Sequence, residues 1–417
     1  MLLRTLSTTQ IYDSPRIVIV AVVSFLALSP LIFTSHFVLA DSVISTIKVG
    51  RTPTEIMFNP INGSMYIVNN RDSNGVSVIN GRTNSFLTNI TGTAFPDNIA
   101  FNSENNDMYV TNSAGSLAAV MSAKDNKVIR NISSVLSIVS SNPPTGYILF
   151  PNAITFNPKN GNMYVPGNVC YYNNATQCGI VQNYCARNAS ITCMASVIDP
   201  KNNEIVKNIP IGRQGDPLAT NTGLIAVDPN NGNVYVGNYR DRSISVINST
   251  NQIVATIGLS GTPSAIAYNP KNGNMYVVGG PSNVVSVIDT KINKIIKSIP
   301  GIGIVPNAIA YNPTDGNMYV LGGFSRSVFA IDSEHNNSTH IPLGGSANAI
   351  PNAIAYNPKN GHMYVTVGFD DVVKVIDSHK VVETIAVGEG ALKIALNPIN
   401  NDMYVTNTIS NTVSVIG

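Results

Sequence analysis

From residue 41 onward, β-branched and aromatic residues alternate with Ser, Thr and Asn in short runs, and clusters of Asn, Pro, Asp and Gly separate the runs. Alternation of period two with such breaks predicts half-buried strands joined by tight turns. No helical periodicity appears in this stretch. The segment from Pro306 to Val320 returns almost unchanged from Pro351 to Val365. Weaker copies run Pro53 to Ile67, Pro96 to Val110, Pro151 to Val165, Thr222 to Val236, Pro263 to Val277 and Ala391 to Val405. Their tyrosines are Tyr66, Tyr109, Tyr164, Tyr235, Tyr276, Tyr319, Tyr364 and Tyr404, mostly 40–45 residues apart, with two longer steps.

Each copy carries four strand signals. Ala308 to Tyr311 typifies the first, strand a. Asn312 to Gly316 then forms a tight turn: Pro presets φ, Asn bonds its own backbone and Gly accepts a positive φ. Met318 to Val320 resumes as strand b; runs such as Val284 to Asp289 and Lys294 to Ile299 supply strands c and d. Four antiparallel strands in about 42 residues make the unit of a β-propeller blade. A single blade cannot bury both faces, so neighbours must stack around an axis. The chain stops after a strand c, Thr412 to Ile416, whereas Val43 to Val49 reads as a lone strand d. Docking one on the other closes an all-β ring of eight blades and removes its open edge. A seven-bladed ring is the alternative, and requires a degenerate copy around Tyr164 or Tyr235.

Composition narrows the setting. The chain has 417 residues, 44% hydrophobic but only 12% charged, with net charge +2. No run of Lys or Arg is longer than two, so no field exists to follow a phosphate backbone, and nucleic acid is excluded as a partner. Before residue 41 the pattern changes. Arg4 and Arg16 precede an uncharged stretch from Ile17 to Ala40, with small or apolar Val38 and Ala40 before Asp41. This reads as an export signal cut between Ala40 and Asp41. At 24 residues it is also long enough to remain as a membrane anchor. The expected organisation is therefore 1–40 signal or anchor and 41–417 a single propeller outside the cytoplasm, extracellular or at the cell surface.

Tyr109-Val110-Thr111-Asn112 and Tyr404-Val405-Thr406-Asn407 resemble the motif of the YVTN β-propeller repeat proteins; Tyr235-Val236-Gly237-Asn238 is a variant. The resemblance covers residues 41–417. It implies a propeller of the surface-layer or periplasmic kind, similar in fold to quinoprotein dehydrogenases, and carries no shared catalytic motif.

Extra chain falls at 134–150, 166–194 and 213–221, which lengthen d–a, b–c and d–a connections in turn. These connections share one face of a propeller, opposite the a–b and c–d turns. One-sided growth on a regular scaffold is how loop-borne binding sites arise. The insertion at 166–194 contains Cys170, Cys178, Cys185 and Cys193, an even number that reads as two disulfides in an exported protein, with pairing open among three possibilities. No Cys-x-x-Cys pair supports zinc. Tyr171, Tyr172 and Tyr184 beside them either supply contact area or only pack the loop. The residue after each repeat Pro begins strand a near the axis: Thr54, Asp97, Asn152, Gly223, Ser264, Asn307, Asn352 and Leu392. The polar members form either a ring of ligand groups or, the reading favoured here, caps on strand starts. Glu55 and Lys393, one position on, should pair across the closure.

The histidines after residue 40 are His335, His340, His362 and His379, and none maps to the elaborated face, which weighs against His-dependent chemistry there. Carboxylates on that face (Glu55, Asp72, Asp97, Asp216, Asp241, Asp370, Asp371) have no paired spacing. They read as solvated charges, with calcium as the one ion they could hold; no other cofactor is implied. The function expected is a non-catalytic, monomeric binding propeller for a protein or glycan at the cell surface. The alternative is an extracytoplasmic lyase, lactonase or quinoprotein-like oxidoreductase with its site over the central channel.

Overall fold

Val43–Lys48 pairs antiparallel with Thr412–Ile416, Ile47 opposite Val413, so the start of the propeller supplies the outer strand of its last blade. This computed structural model describes residues 40–417 except 72–74, 94, 113–116, 134, 142–143, 173–191, 213–220 and 240. Residues 1–39, nearly all of the expected signal or anchor at 1–40, lie outside the described residues.

Blade 1 shows the pattern: strands a to d are Pro53–Asn59, Ser64–Asn69, Val76–Asn80 and Ser85–Ile90, hydrogen-bonded in that order. The inner strands of blades 2 to 8 are Pro96–Asn102, Thr155–Phe156, Asn221–Val227, Pro263–Asn269, Pro306–Tyr311, Pro351–Asn357 and Ala391–Leu396. Eight sheets result, seven of four strands, and the ring has eight blades. The copies around Tyr164 and Tyr235 are full blades, so the seven-bladed alternative falls.

Buried residues fall into eight apolar clusters, each drawn from two neighbouring blades. Ile47, Ile56, Ile67, Tyr404 and Val415 fill the closing seam, and Tyr319, Leu321, Met363 and Val365 fill that between blades 6 and 7. Strand b is buried along its whole length, as in Met65, Tyr66, Ile67 and Val68. Sheet faces that meet a neighbour on both sides need a continuous apolar run rather than a clean alternation. Outer strands are wetter, and their free edges carry charges such as Lys127, Arg130, Lys207 and Lys297, which discourage strand addition.

A polar relay repeats along the same seams on the hairpin face. Each c–d turn holds a residue in the left-handed region: Asn84, Asn126, Asn203, Asn251, Asn293 and Asn336, with φ between 52° and 61°. Asn tolerates that region, and here its side chain has a second use. The buried hydroxyls of Tyr66, Tyr109, Tyr164, Tyr235, Tyr276 and Tyr404 donate to the Oδ1 atoms of Asn126, Asn203, Asn251, Asn293, Asn336 and Asn84 on the following blade. Turn asparagines of strand a reinforce the seams. Asn59 Nδ2 donates to Ala123 O (2.7 Å), Asn157 to Gly232 O (2.8 Å) and Asn397 to Gly81 O (2.6 Å). Burial pushes the phenols above their ordinary range, which keeps them protonated donors.

The relay departs from this form twice. Between blades 6 and 7, His379 stands in the left-handed position (φ 62°), and Tyr319 donates instead to Asp315 of its own turn at 2.6 Å. His379 Nε2 lies 3.7 Å from that carboxylate. Between blades 7 and 8 the acceptor is Asp41.

Candidate binding face

The b–c turns and d–a connections lie together on the face opposite the relay. Backbone hydrogen bonds hold four of these turns to the loop beside them: Asn70 N–H to Thr52 O (3.0 Å), Gly280 to Thr262 (3.0 Å), Phe324 to Ile304 (2.9 Å) and Thr408 to Gly390 (2.9 Å). The last residue of strand b adds side-chain bonds. Asn69 contacts the Ser77 hydroxyl at 3.0 Å, Asn238 those of Ser243 and Ser245 at 3.0 Å each, and Asn407 those of Thr412 and Ser414 at 2.9 and 3.0 Å. The same serines accept the N–H groups of Gly50, Gly212 and Gly388. With its amide turned so that Oδ1 accepts both hydroxyls, Asn407 also donates to Gly388 O at 3.2 Å. The asparagine closing the Tyr-Val-Thr-Asn motif therefore fixes the b–c turn to the loop entering its blade.

Four of the eight residues of the axial ring stitch blades together. Ser264 Oγ donates to Pro306 O (2.6 Å), Asn307 Nδ2 to Pro351 O (2.9 Å) and Asn352 Nδ2 to Ala391 O (2.9 Å). Asp97 accepts from Asn70 Nδ2 at 2.7 Å, whereas Asn152 donates its backbone N–H within blade 3, to Pro166 O at 3.0 Å. The inner strands leave carbonyls facing the axis, and a short amide or hydroxyl on the preceding blade reaches them. Thr54 Oγ1 and Asn307 Oδ1 are buried there without a protein partner. Glu55 and Lys393 meet as expected, Oε1 to Nζ 2.7 Å.

The described parts of the insertions at 134–150 and 166–194 are strands where the sequence reads as loops; residues 213–220 fall outside the described residues. Val135–Ser141 and Pro144–Pro151 form a hairpin, and Pro144–Pro151 pairs with Gly167 to Tyr172 of a lengthened strand b, Met163–Tyr172. Strand c starts early, at Thr192, and blade 3 becomes a six-stranded sheet extended on the loop face. Thr145, Tyr147 and Leu149 continue the period-two pattern, a signal outweighed by the insertion's length. Tyr171 and Tyr172 close strand b, opposite Tyr147 and Gly146. Cys193 lies opposite Asn168 rather than opposite Cys170, and its sulfur is 3.6 Å from Asn168 Oδ1. Cys178, Cys185 and Tyr184 fall outside the described residues, as do Asp72 and Asp216.

A feature not singled out from sequence stands beside these. At the same turn position on four consecutive blades, Pro281, Phe324, Phe369 and Ile409 project from the loop face; the last three are 61%, 70% and 68% exposed. Ile304 and Val305 are exposed in the loop bonded to Phe324. Apolar side chains within Gly-rich turns, as in Gly323-Phe324 and Gly368-Phe369, were the available signal.

Asp370 and Asp371 are occupied locally. Asp370 accepts the Ser346 N–H at 3.0 Å and its hydroxyl, and Asp371 accepts Gly390 N–H at 2.7 Å. The Ser346 hydroxyl bond chiefly holds the Asp370 carboxyl below the usual carboxylate range. His335 and His379 sit in c–d turns, His362 follows an a–b turn and His340 lies in an outer strand. Among the described residues no three His, Cys, Asp or Glu gather as a metal site.

No family model and no curated protein matches the chain. Solved structures do. Hydrazine synthase of Kuenenia stuttgartiensis is similar over 87% of this chain and 95% of that one, with 15% identity and a TM-score of 0.53. The dihydro-heme d1 dehydrogenase NirN, solved in complex with DHE, is similar over 80% of this chain and 66% of that one, with 14% identity and a TM-score of 0.59. At such identity the likeness defines a class by fold alone: the protein is an eight-bladed β-propeller.

Proposed function

We propose that residues 41–417 form a non-catalytic binding propeller outside the cytoplasm, with the b–c turns and d–a connections as its recognition face. The observation that carries this reading is the division of labour between faces. The hairpin face is consumed by seam bonds, whereas the loop face carries the blade 3 extension and the row of Pro281, Phe324, Phe369 and Ile409. Exposed apolar groups on backbone-braced turns cost little ordering entropy on contact, and aromatic tips suit either an apolar protein surface or the faces of sugar rings. Asp41, whose carboxylate meets Tyr364, lies on the hairpin face, away from the recognition face. The Tyr-Val-Thr-Asn motifs together with the ring support placing the chain among the YVTN-repeat propellers. The test is capture from the native cell envelope, and on immobilised glycans, with the wild type and with Phe324→Ser/Phe369→Ser/Ile409→Ser. A species retained by the wild type and lost from an equally stable variant is expected; identical recovery by both would defeat the assignment of the face.

The second reading, an extracytoplasmic enzyme over the central channel, is favoured by one finding: both neighbours are named as enzymes, a synthase and a dehydrogenase. Turnover of lactone, lyase or quinone-linked substrates that disappears in Asp97→Asn would establish it.

A further inference from the structure

In seven blades a covalent c–d turn presents its left-handed residue to the preceding blade. The eighth has no such turn, because its strand c ends at Ile416 and its strand d begins at Val43. Asp41 occupies the vacant role. Its carboxylate accepts the Tyr364 hydroxyl and, at 3.3 Å, Asn360 Nδ2. Elsewhere on the ring, Asn126 accepts the same pair of donors, Tyr66 and Asn62 Nδ2. Ser42 and Gly417 complete the imitation by exchanging backbone hydrogen bonds at 3.4 and 3.2 Å. Ala40, one residue earlier, is exposed.

We propose that Asp41 is the lock of the ring, a positioning residue that replaces the missing turn, and that this ties closure to N-terminal processing. A cut at Ala40–Asp41 keeps the lock. A cut after Ser42 leaves every strand intact but removes the lock, freeing Val43–Lys48 to fray from Thr412–Ile416. The carboxylate serves as an acceptor only, so an amide oxygen should replace it.

The experiment uses the full chain, as wild type and as Asp41→Ala, Asp41→Asn, Tyr364→Phe and Asn126→Ala. Two readouts are followed: the melting midpoint, and tryptic cleavage after Lys48, which reports release of the closing strand. Asp41→Ala and Tyr364→Phe should each lower the midpoint by about 2 °C or more and raise cleavage after Lys48 about fivefold or more, the population change expected for one lost buried hydrogen bond. Their combination should add little to either single change. Asp41→Asn should behave as wild type. Asn126→Ala should lower the midpoint while leaving cleavage after Lys48 unchanged, which separates a closing role from general stitching. Wild-type cleavage in Asp41→Ala, or equal cleavage in Asn126→Ala, would overturn the proposal. So would an exported protein whose mass shows a start beyond Asp41.

Discussion

Lys393 Nζ, on the inner strand of blade 8, lies 2.7 Å from Glu55 Oε1 on that of blade 1, across the seam between the last blade and the first. The two side chains remain 40% and 23% exposed, so water screens the attraction and exposed pairs of this kind contribute at most about 1 kcal/mol. Glu55→Gln and Lys393→Gln should each shift the urea midpoint slightly. The double change should cost less than the sum, and the coupling should fade in about 1 M salt, where the screening length is short. A coupling unaffected by salt would contradict a screened surface pair.

The relay predicts a graded series at one seam. Tyr66→Phe removes a buried hydrogen bond worth about 1 kcal/mol. Asn126→Gly should cost a similar amount, since Gly accepts the φ of 57° found there. Asn126→Ala should cost about 1–2 kcal/mol more, because its Cβ is strained in the left-handed region. Equal losses for Gly and Ala, measured by urea unfolding at unchanged m, would show that the turn conformation plays no part.

Alkali should open the ring abruptly. All eight relay tyrosines have phenols raised above their ordinary value, burial being the main cause. The folded state therefore keeps protons that the unfolded chain releases near pH 10. Stability is full below that pH and falls as pH rises above it. In a spectrophotometric titration, eight of the 17 tyrosines should stay silent until unfolding. Smooth ionisation of all of them while the fold persists would be inconsistent with the relay.

Acid should act on the loop face. Asp370 is held below the ordinary carboxylate range, first by the Ser346 hydroxyl, so its contribution is present above about pH 4 and lost as pH falls through the lower folded value. Hydrogen exchange at the Ser346 amide should stay slow until that range is reached, and should be fast at every pH in Asp370→Ala. Slow exchange in that variant would mean another group protects the loop.

Much of this was legible because the eight tyrosine copies repeat one physical problem. A strand with neighbours on both faces must read as Met-Tyr-Val, and an Asn-Pro-x-x-Gly turn must follow strand a. The closure was legible for the same reason, since Val43 to Val49 had no partner in its own copy. The blade 3 extension was not, because pairing between Pro144–Pro151 and strand b depends on a register that length and composition leave open. The axial ring follows from the repeat, but whether Ser264 or Asn352 serves a ligand or the next blade's carbonyl depends on distances of about 3 Å between segments far apart in sequence. Cys193 illustrates the same limit: its spacing from Cys170 says nothing about the strand register that sets it opposite Asn168.

The hydroxyl-to-turn hand-off runs in one direction around the propeller, each blade giving and the next receiving, except at blade 6, where Tyr319 donates to its own turn. The other seven blades do not satisfy themselves. Deleting one whole repeat reunites a donor with an equivalent acceptor, whereas deleting half a repeat strands both. Gain and loss of units during evolution should accordingly proceed in complete copies, and the two seams that depart from the Asn form, at His379 and Asp41, mark where such an exchange would be least interchangeable.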